Sequence, residues 1–130
     1  MNAELKALLS QAKAASAQAY APYSGYRVGA ALLCADGSIF TAANVENASY
    51  SLSSCAERNA VFQAVNAGQR DFAAIAIYVG DDKLFPPCGA CRQVLAEFNP
   101  GLRIVYANRL QAIETDLATL LPQAFSLREI

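Results

Sequence analysis

A three-layer α/β sandwich, with helices on both faces of a mixed five-stranded sheet, is the fold class this sequence predicts. Three observations predict it. Helical and strand periodicities alternate along the chain. An Asp-Gly turn joins the first two strands directly, and a helical stretch separates each of the next two strand pairs. The 130 residues fit one domain, residues 1–130, and 55% hydrophobic against 16% charged residues gives ample core material.

Each element has its own reason. Leu5, Leu8, Leu9 and Ala12 recur at helical spacing and predict a helix over 2–19, stopped by Pro22. YRVGAALLC (26–34) reads as a strand. Asp36-Gly37 is a hairpin turn, and SIFTAANV (38–45) returns as the antiparallel partner. SYSLSS (49–54) is a loop of small polar residues. CAERNAVFQAVNAG (55–68) is a helix, with Ala56, Ala60, Val61, Ala64 and Val65 on one stripe and Gly68 closing it. FAAIAIYV (72–79) is a buried strand, and residues 81–87 form a loop. CGACRQVLAEF (88–98) is a helix ended by Asn99-Pro100-Gly101. LRIVYA (102–107) is a strand and 111–115 a short fifth one. Asp116 is placed to cap a last short helix. The strand–helix–strand units favour parallel pairing, because a crossover must carry the chain back to the same end.

Charge and hydropathy narrow the function classes. The net charge is −1 with no basic tract, which leaves nucleic-acid binding without electrostatic support. No apolar run approaches the ~20 residues of a membrane span, and Met1 to Tyr20 is too broken by polar residues for a secretory signal. The expectation is a cytoplasmic protein, in which four cysteines point to metal or catalysis rather than disulfides.

Three of those cysteines, Cys55, Cys88 and Cys91, fall at the N-terminal ends of two predicted helices. A Cys-x-x-Cys pair at a helix start also suits a dithiol redox site, but that leaves Cys55 unexplained. With Cys34 as fourth ligand the site would be a closed structural zinc. With three ligands it keeps an open position, the catalytic arrangement. Cys34 alternates in phase with Val28, Ala30 and Leu32 and reads as core. The chain has no histidine, so Glu57, two residues after Cys55, is the best candidate proton carrier. Three thiolates on Zn²⁺ leave the site at −1. Helix N-termini, together with Arg58 or Arg92, would draw charge from the sulfurs; Arg58 is the favoured partner.

CAER (55–58) and PCGACRQ (87–93) carry a resemblance to the zinc-dependent cytidine deaminases of the short-chain homotetrameric type. The likeness extends over PYSGYRVGAALL (22–33), NVENASY (44–50), EFNP (97–100) and LLPQAF (120–125). It implies the cytidine deaminase-like fold and one Zn²⁺ per chain. It further implies hydrolysis of cytidine and 2'-deoxycytidine to the uridines and ammonia, by a zinc-activated water with a Glu57 proton shuttle, in pyrimidine salvage. Asn44 and Glu46 would grip the ribose hydroxyls, and Ala56 would offer its N–H to the base. Tyr26 stands where the family has Phe beside pyrimidine and sugar. Tyr50 and Phe125 would reach into a neighbouring subunit's site, so that active sites are shared within a homotetramer. Rivals are a deaminase of another cytosine compound, such as the blasticidin S type, a nucleic-acid-editing deaminase, and a non-catalytic zinc module.

Overall fold

The computed structural model describes residues 1–128. The chain order is α1 (Ala3–Ser16), β1 (Val28–Cys34), β2 (Ile39–Ala43), a 3₁₀ turn (Tyr50–Leu52) and α2 (Ala56–Asn66). Then come β3 (Phe72–Val79), α3 (Gly89–Ala96), β4 (Arg103–Ala107), β5 (Ala112–Asp116) and α4 (Leu117–Leu120). The five strands form one mixed sheet in the order β2-β1-β3-β4-β5. β3 and β4 pair in parallel and all other neighbours are antiparallel.

The crossover expectation holds for β3–α3–β4 and is modified for β2–α2–β3. There β1 lies between the two strands and is antiparallel to both, so β2 and β3 run the same way without touching. The reason is burial. All but one residue of β3 is inaccessible, so it takes a central place with β1 and β4 beside it.

The two faces of the sheet carry different side chains. Ala31, Ala74 and Ala76 face Leu5, Leu8 and Ala12 of α1. Leu32, Ile75, Ile77 and Ile104 face α2 and α3. Small residues let α1 lie close to the strands, while the larger ones fill the wider gap below α2 and α3. The closest approach is at Gly29, where a Cβ would stand 1.9 Å from the Ala12 carbonyl oxygen. Any larger residue there must push α1 off the sheet.

Element ends differ from the expected ones for local reasons. α1 is capped at its start by Asn2, whose Oδ1 accepts from Leu5 N–H at 2.9 Å. It ends at Ser16 rather than residue 19. The Ala17 carbonyl is taken by the Arg27 guanidinium, and the Tyr20 N–H turns to the Asn44 carbonyl. β1 begins at Val28 rather than residue 26. β2 stops at Ala43, and Val45 continues the extended chain only through isolated bridges to Tyr20 and Ser54. Among the described residues no helix is long and apolar enough to cross a membrane.

Candidate active site

Cys55 and Cys88 are the N-cap residues of α2 and α3, and Cys91 lies in the first turn of α3. Both caps have extended backbone and neither makes a side-chain capping bond, so their sulfurs are free for other partners. The Cys55 and Cys88 sulfurs stand 3.8 Å apart, and all three Sγ atoms lie within 4.8 Å of one another. Tetrahedral zinc with Zn–S bonds of ~2.3 Å requires sulfurs about 3.8 Å apart. The donor set therefore fits zinc with only small adjustment. Cys34 is elsewhere, 1% exposed in the core at the end of β1. Three ligands leave one tetrahedral position open, and a closed four-cysteine site is ruled out by the fold.

Glu57 follows in the first turn of α2 and is only 4% exposed. Burial raises its carboxyl pKa to about 7. The Cys55 charge adds to that shift, while Cys91 and Arg58 oppose it. The Cys55 thiol is lowered to about 5, first by a hydrogen bond from Cys91 and then by Arg58 and Cys88. Cys91 is correspondingly raised by the same bond and by its burial. A thiophilic cation binds thiolates and so displaces the thiol protons.

The two arginines have different jobs. Arg58 Nη2 donates to Cys55 Sγ at 3.6 Å, and its buried Nε has no hydrogen-bond partner among the described residues. Arg92 makes no hydrogen bond to a sulfur. Its Nε donates to the Pro87 carbonyl and its Nη1 to the Leu120 carbonyl, each at 2.7 Å. It ties the loop before Cys88 to α4, because a guanidinium forked between two carbonyls satisfies both.

A cavity of about 450 Å³ opens beside the sulfurs. Cys55, Ala56, Glu57 and Arg58 line one side, Tyr26, Val28, Asn44 and Glu46 another, and Phe85, Pro86 and Cys88 a third. Cys91 lies behind this wall, fully buried. The Ala56 N–H, at the first position of α2, has no acceptor within the helix.

Asn44 lies just past β2 rather than within it. Its Oδ1 accepts from Val28 N–H and its Nδ2 donates to the Tyr26 carbonyl, both at 2.9 Å. Glu46, 7% exposed, is held more firmly. Its Oε1 accepts from the N–H groups of Tyr23 and Ser24 at 3.0 and 3.1 Å, and its Oε2 accepts from Ser24 Oγ at 2.5 Å. The Ser24 hydroxyl heads the causes that hold the Glu46 carboxyl below the usual range. Ser24 was not singled out from sequence. It sits in a Pro/Gly-bounded turn, and no local rule pairs it with a carboxylate 22 positions away.

Tyr50, on the 3₁₀ turn, is 60% exposed and lines this chain's own cavity. Phe125 does not: it is 66% exposed and borders a separate depression with Phe98 and Leu121, its carbonyl accepting from Gln93 Nε2 at 2.9 Å.

Residues 2–108 match the family model of the cytidine and deoxycytidylate deaminase zinc-binding region. The chain belongs to that family. A cytidine deaminase of Halalkalibacterium halodurans is 48% identical over 125 residues, 95% of each protein. One from Sporosarcina psychrophila is 46% identical over 129 residues, 98% of this chain and 95% of the relative. The crystal structure of a cytidine deaminase from Burkholderia pseudomallei superposes with a TM-score of 0.88 at 49% identity, covering 96% of this chain and all of that one. Membership in this zinc-binding deaminase family makes zinc the cofactor, and the three-cysteine group fits it.

Proposed function

We propose that the chain hydrolyses cytidine and 2'-deoxycytidine to the corresponding uridines and ammonia. The observation that carries this reading is a buried carboxylate, Glu57, on the cavity wall beside three convergent sulfurs, in a protein without histidine. Zinc on Cys55, Cys88 and Cys91, one per chain, supplies the Lewis acidity that makes water a nucleophile near neutral pH. Glu57, buried beside the sulfurs, takes the proton that water gives up and delivers it to ring N3. That makes C4 electrophilic, and the water oxygen adds there. Glu57 then carries the second proton from the added oxygen to the amine. The C4–N bond breaks and ammonia leaves. Arg58 and the N-terminal ends of α2 and α3 draw charge from the sulfurs, which otherwise weaken the cation as an acid.

Substrate contacts follow the same reading. The Ala56 N–H donates to the base. Asn44 and Glu46 take the sugar hydroxyls, each held in place by backbone bonds made before substrate arrives. Phe125 lies outside its own cavity and completes that of a neighbour in a homotetramer, with Tyr50 at the shared rim. Exposed Tyr20, Val45 and Leu52, around the bridged segment beside the cavity, offer apolar surface for such assembly. The setting is the cytoplasm and pyrimidine salvage.

An ultraviolet assay of cytidine conversion, with zinc measured on the same sample, tests this. One zinc per chain without turnover of any cytosine nucleoside overturns it. Glu57→Gln is expected to keep zinc and lose roughly 10²–10⁴-fold in turnover, and near-parental rates would remove Glu57 from the reaction.

A further inference from the structure

Among the polar groups on the cavity wall that the mechanism above does not use is the Tyr26 hydroxyl. Lys83 Nζ stands 2.9 Å from it. An ammonium donates and cannot accept, so the phenol oxygen is the acceptor in this pair. The phenol proton is then left to donate elsewhere, and no acceptor within the chain takes it among the described residues. The ammonium is 5.6 Å from the ring centre, which places it beyond the hydroxyl rather than over the ring face. The ring is fixed from another direction by Phe85, edge-on, with centroids 4.9 Å apart. Two contacts thus hold Tyr26 in one orientation. Lys83 is solvent-exposed and Glu57 buried, so the hydroxyl marks the outer end of the cavity and the carboxylate the inner one.

We infer that Tyr26, positioned by Lys83, is a specificity residue that donates a hydrogen bond to the 5'-oxygen of the nucleoside. The inference rests on the proposed deamination of cytidine. With C4 and N3 at Glu57 and the vicinal diol at Asn44 and Glu46, the ring oxygen and the 5'-oxygen are the sugar acceptors left, and the 5'-oxygen, on its exocyclic carbon, reaches farther toward the outer end. A phenylalanine at position 26 would preserve the wall and the Phe85 contact but lose this bond. Lys83 touches the hydroxyl rather than substrate and acts as a positioning residue.

The test compares cytidine with 5'-deoxycytidine, which lacks the acceptor. Tyr26→Phe is expected to raise KM for cytidine roughly three- to tenfold, the worth of one neutral hydrogen bond, and to change it less than about twofold for 5'-deoxycytidine. Calorimetric binding of uridine and 5'-deoxyuridine is expected to show the same split. Lys83→Met is expected to give a smaller rise for cytidine that disappears in the Tyr26→Phe background. Equal losses with both nucleosides, or additive effects of the two substitutions, overturn the inference while leaving the deaminase reading intact. A parent enzyme that converts neither nucleoside overturns that reading as well, and a loss of thermal midpoint without the substrate split identifies a merely structural tyrosine.

Discussion

The sulfur corner and the wall proposed to take the sugar are built in opposite ways. At the corner, two helices begin. Cys55 and Cys88 occupy their caps, Cys91 and Glu57 their first turns, and the geometry follows from the regularity of α2 and α3. On the sugar side nothing is regular. Asn44 and Glu46 lie beyond the end of β2 and owe their orientation to bonds with residues 23–28. The corner is complete within one chain, whereas Phe125 stands outside this chain's cavity altogether. Reaction chemistry needs fixed atoms and uses helix starts; recognition is assembled from distant loops that hold one another.

The corner has the largest effects to lose. Cys88 is exposed and contributes little to the core, so Cys88→Ala removes a ligand without opening a cavity. Turnover is expected to fall to background, with zinc per chain dropping well below one. The thermal midpoint of the metal-free protein is expected to stay near that of the metal-free parent. Full zinc content in this variant would break the three-ligand assignment.

Within the same corner the two arginines separate charge from scaffold. Arg58→Met removes the guanidinium that, among the described residues, bonds to one of the three sulfurs, and is expected to weaken zinc roughly 10- to 100-fold, read by competition with a chelator. Arg92→Met leaves the sulfurs alone but frees the carbonyls of Pro87 and Leu120. It is expected to lower the thermal midpoint with a much smaller change in zinc affinity. The reverse pattern would exchange the two roles.

The sugar side breaks more gently. Ser24→Ala strips the shortest of the three bonds on Glu46. KM for cytidine is expected to rise roughly five- to thirtyfold with kcat little changed, because the lost contact orients a binding group and not the proton carrier. A fall in kcat alone would tie Ser24 to the chemistry and dissolve the contrast between the two regions.

The same contrast governs what was legible in the sequence. CAER and PCGACRQ are short, and each sits at a helix start whose cap and periodicity are local properties, so ligands and carboxylate could be read directly. The strand set and the mixed sheet were likewise visible from period-two runs and the Asp36-Gly37 turn. The insertion of β1 between β2 and β3 was not, since it is decided by which strand buries both faces. Asn44 and Glu46 were named through the NVEN resemblance and line the cavity beside the sulfurs, though β2 ends one residue before Asn44 and their placement comes from loop contacts. Ser24 was missed, and Arg92 stood open as a sulfur partner, because both act through contacts more than twenty positions away.

The smallest expected effect lies at the far end of the chain and sharpens how the tail is held. Asp116 caps α4, its Oδ1 accepting from Thr119 N–H at 2.8 Å, and that bond holds its carboxyl below the usual range. A carboxyl lowered by folding stabilises the folded state above its unfolded pKa of about 3.9, and the contribution is lost as pH falls through the folded value. Asp116→Ala is therefore expected to lower the thermal midpoint slightly at pH 7, and the gap to the parent is expected to close below about pH 4. α4 is tied through Leu120 to Arg92 and so to the loop before Cys88. Residues 121–128, which carry Phe125, follow it directly. If Phe125 completes a neighbour's cavity, the same variant shows a small rise in KM for cytidine at pH 7 with zinc unchanged. A gap that persists undiminished at pH 3 would show that the cap works through its shape rather than its charge.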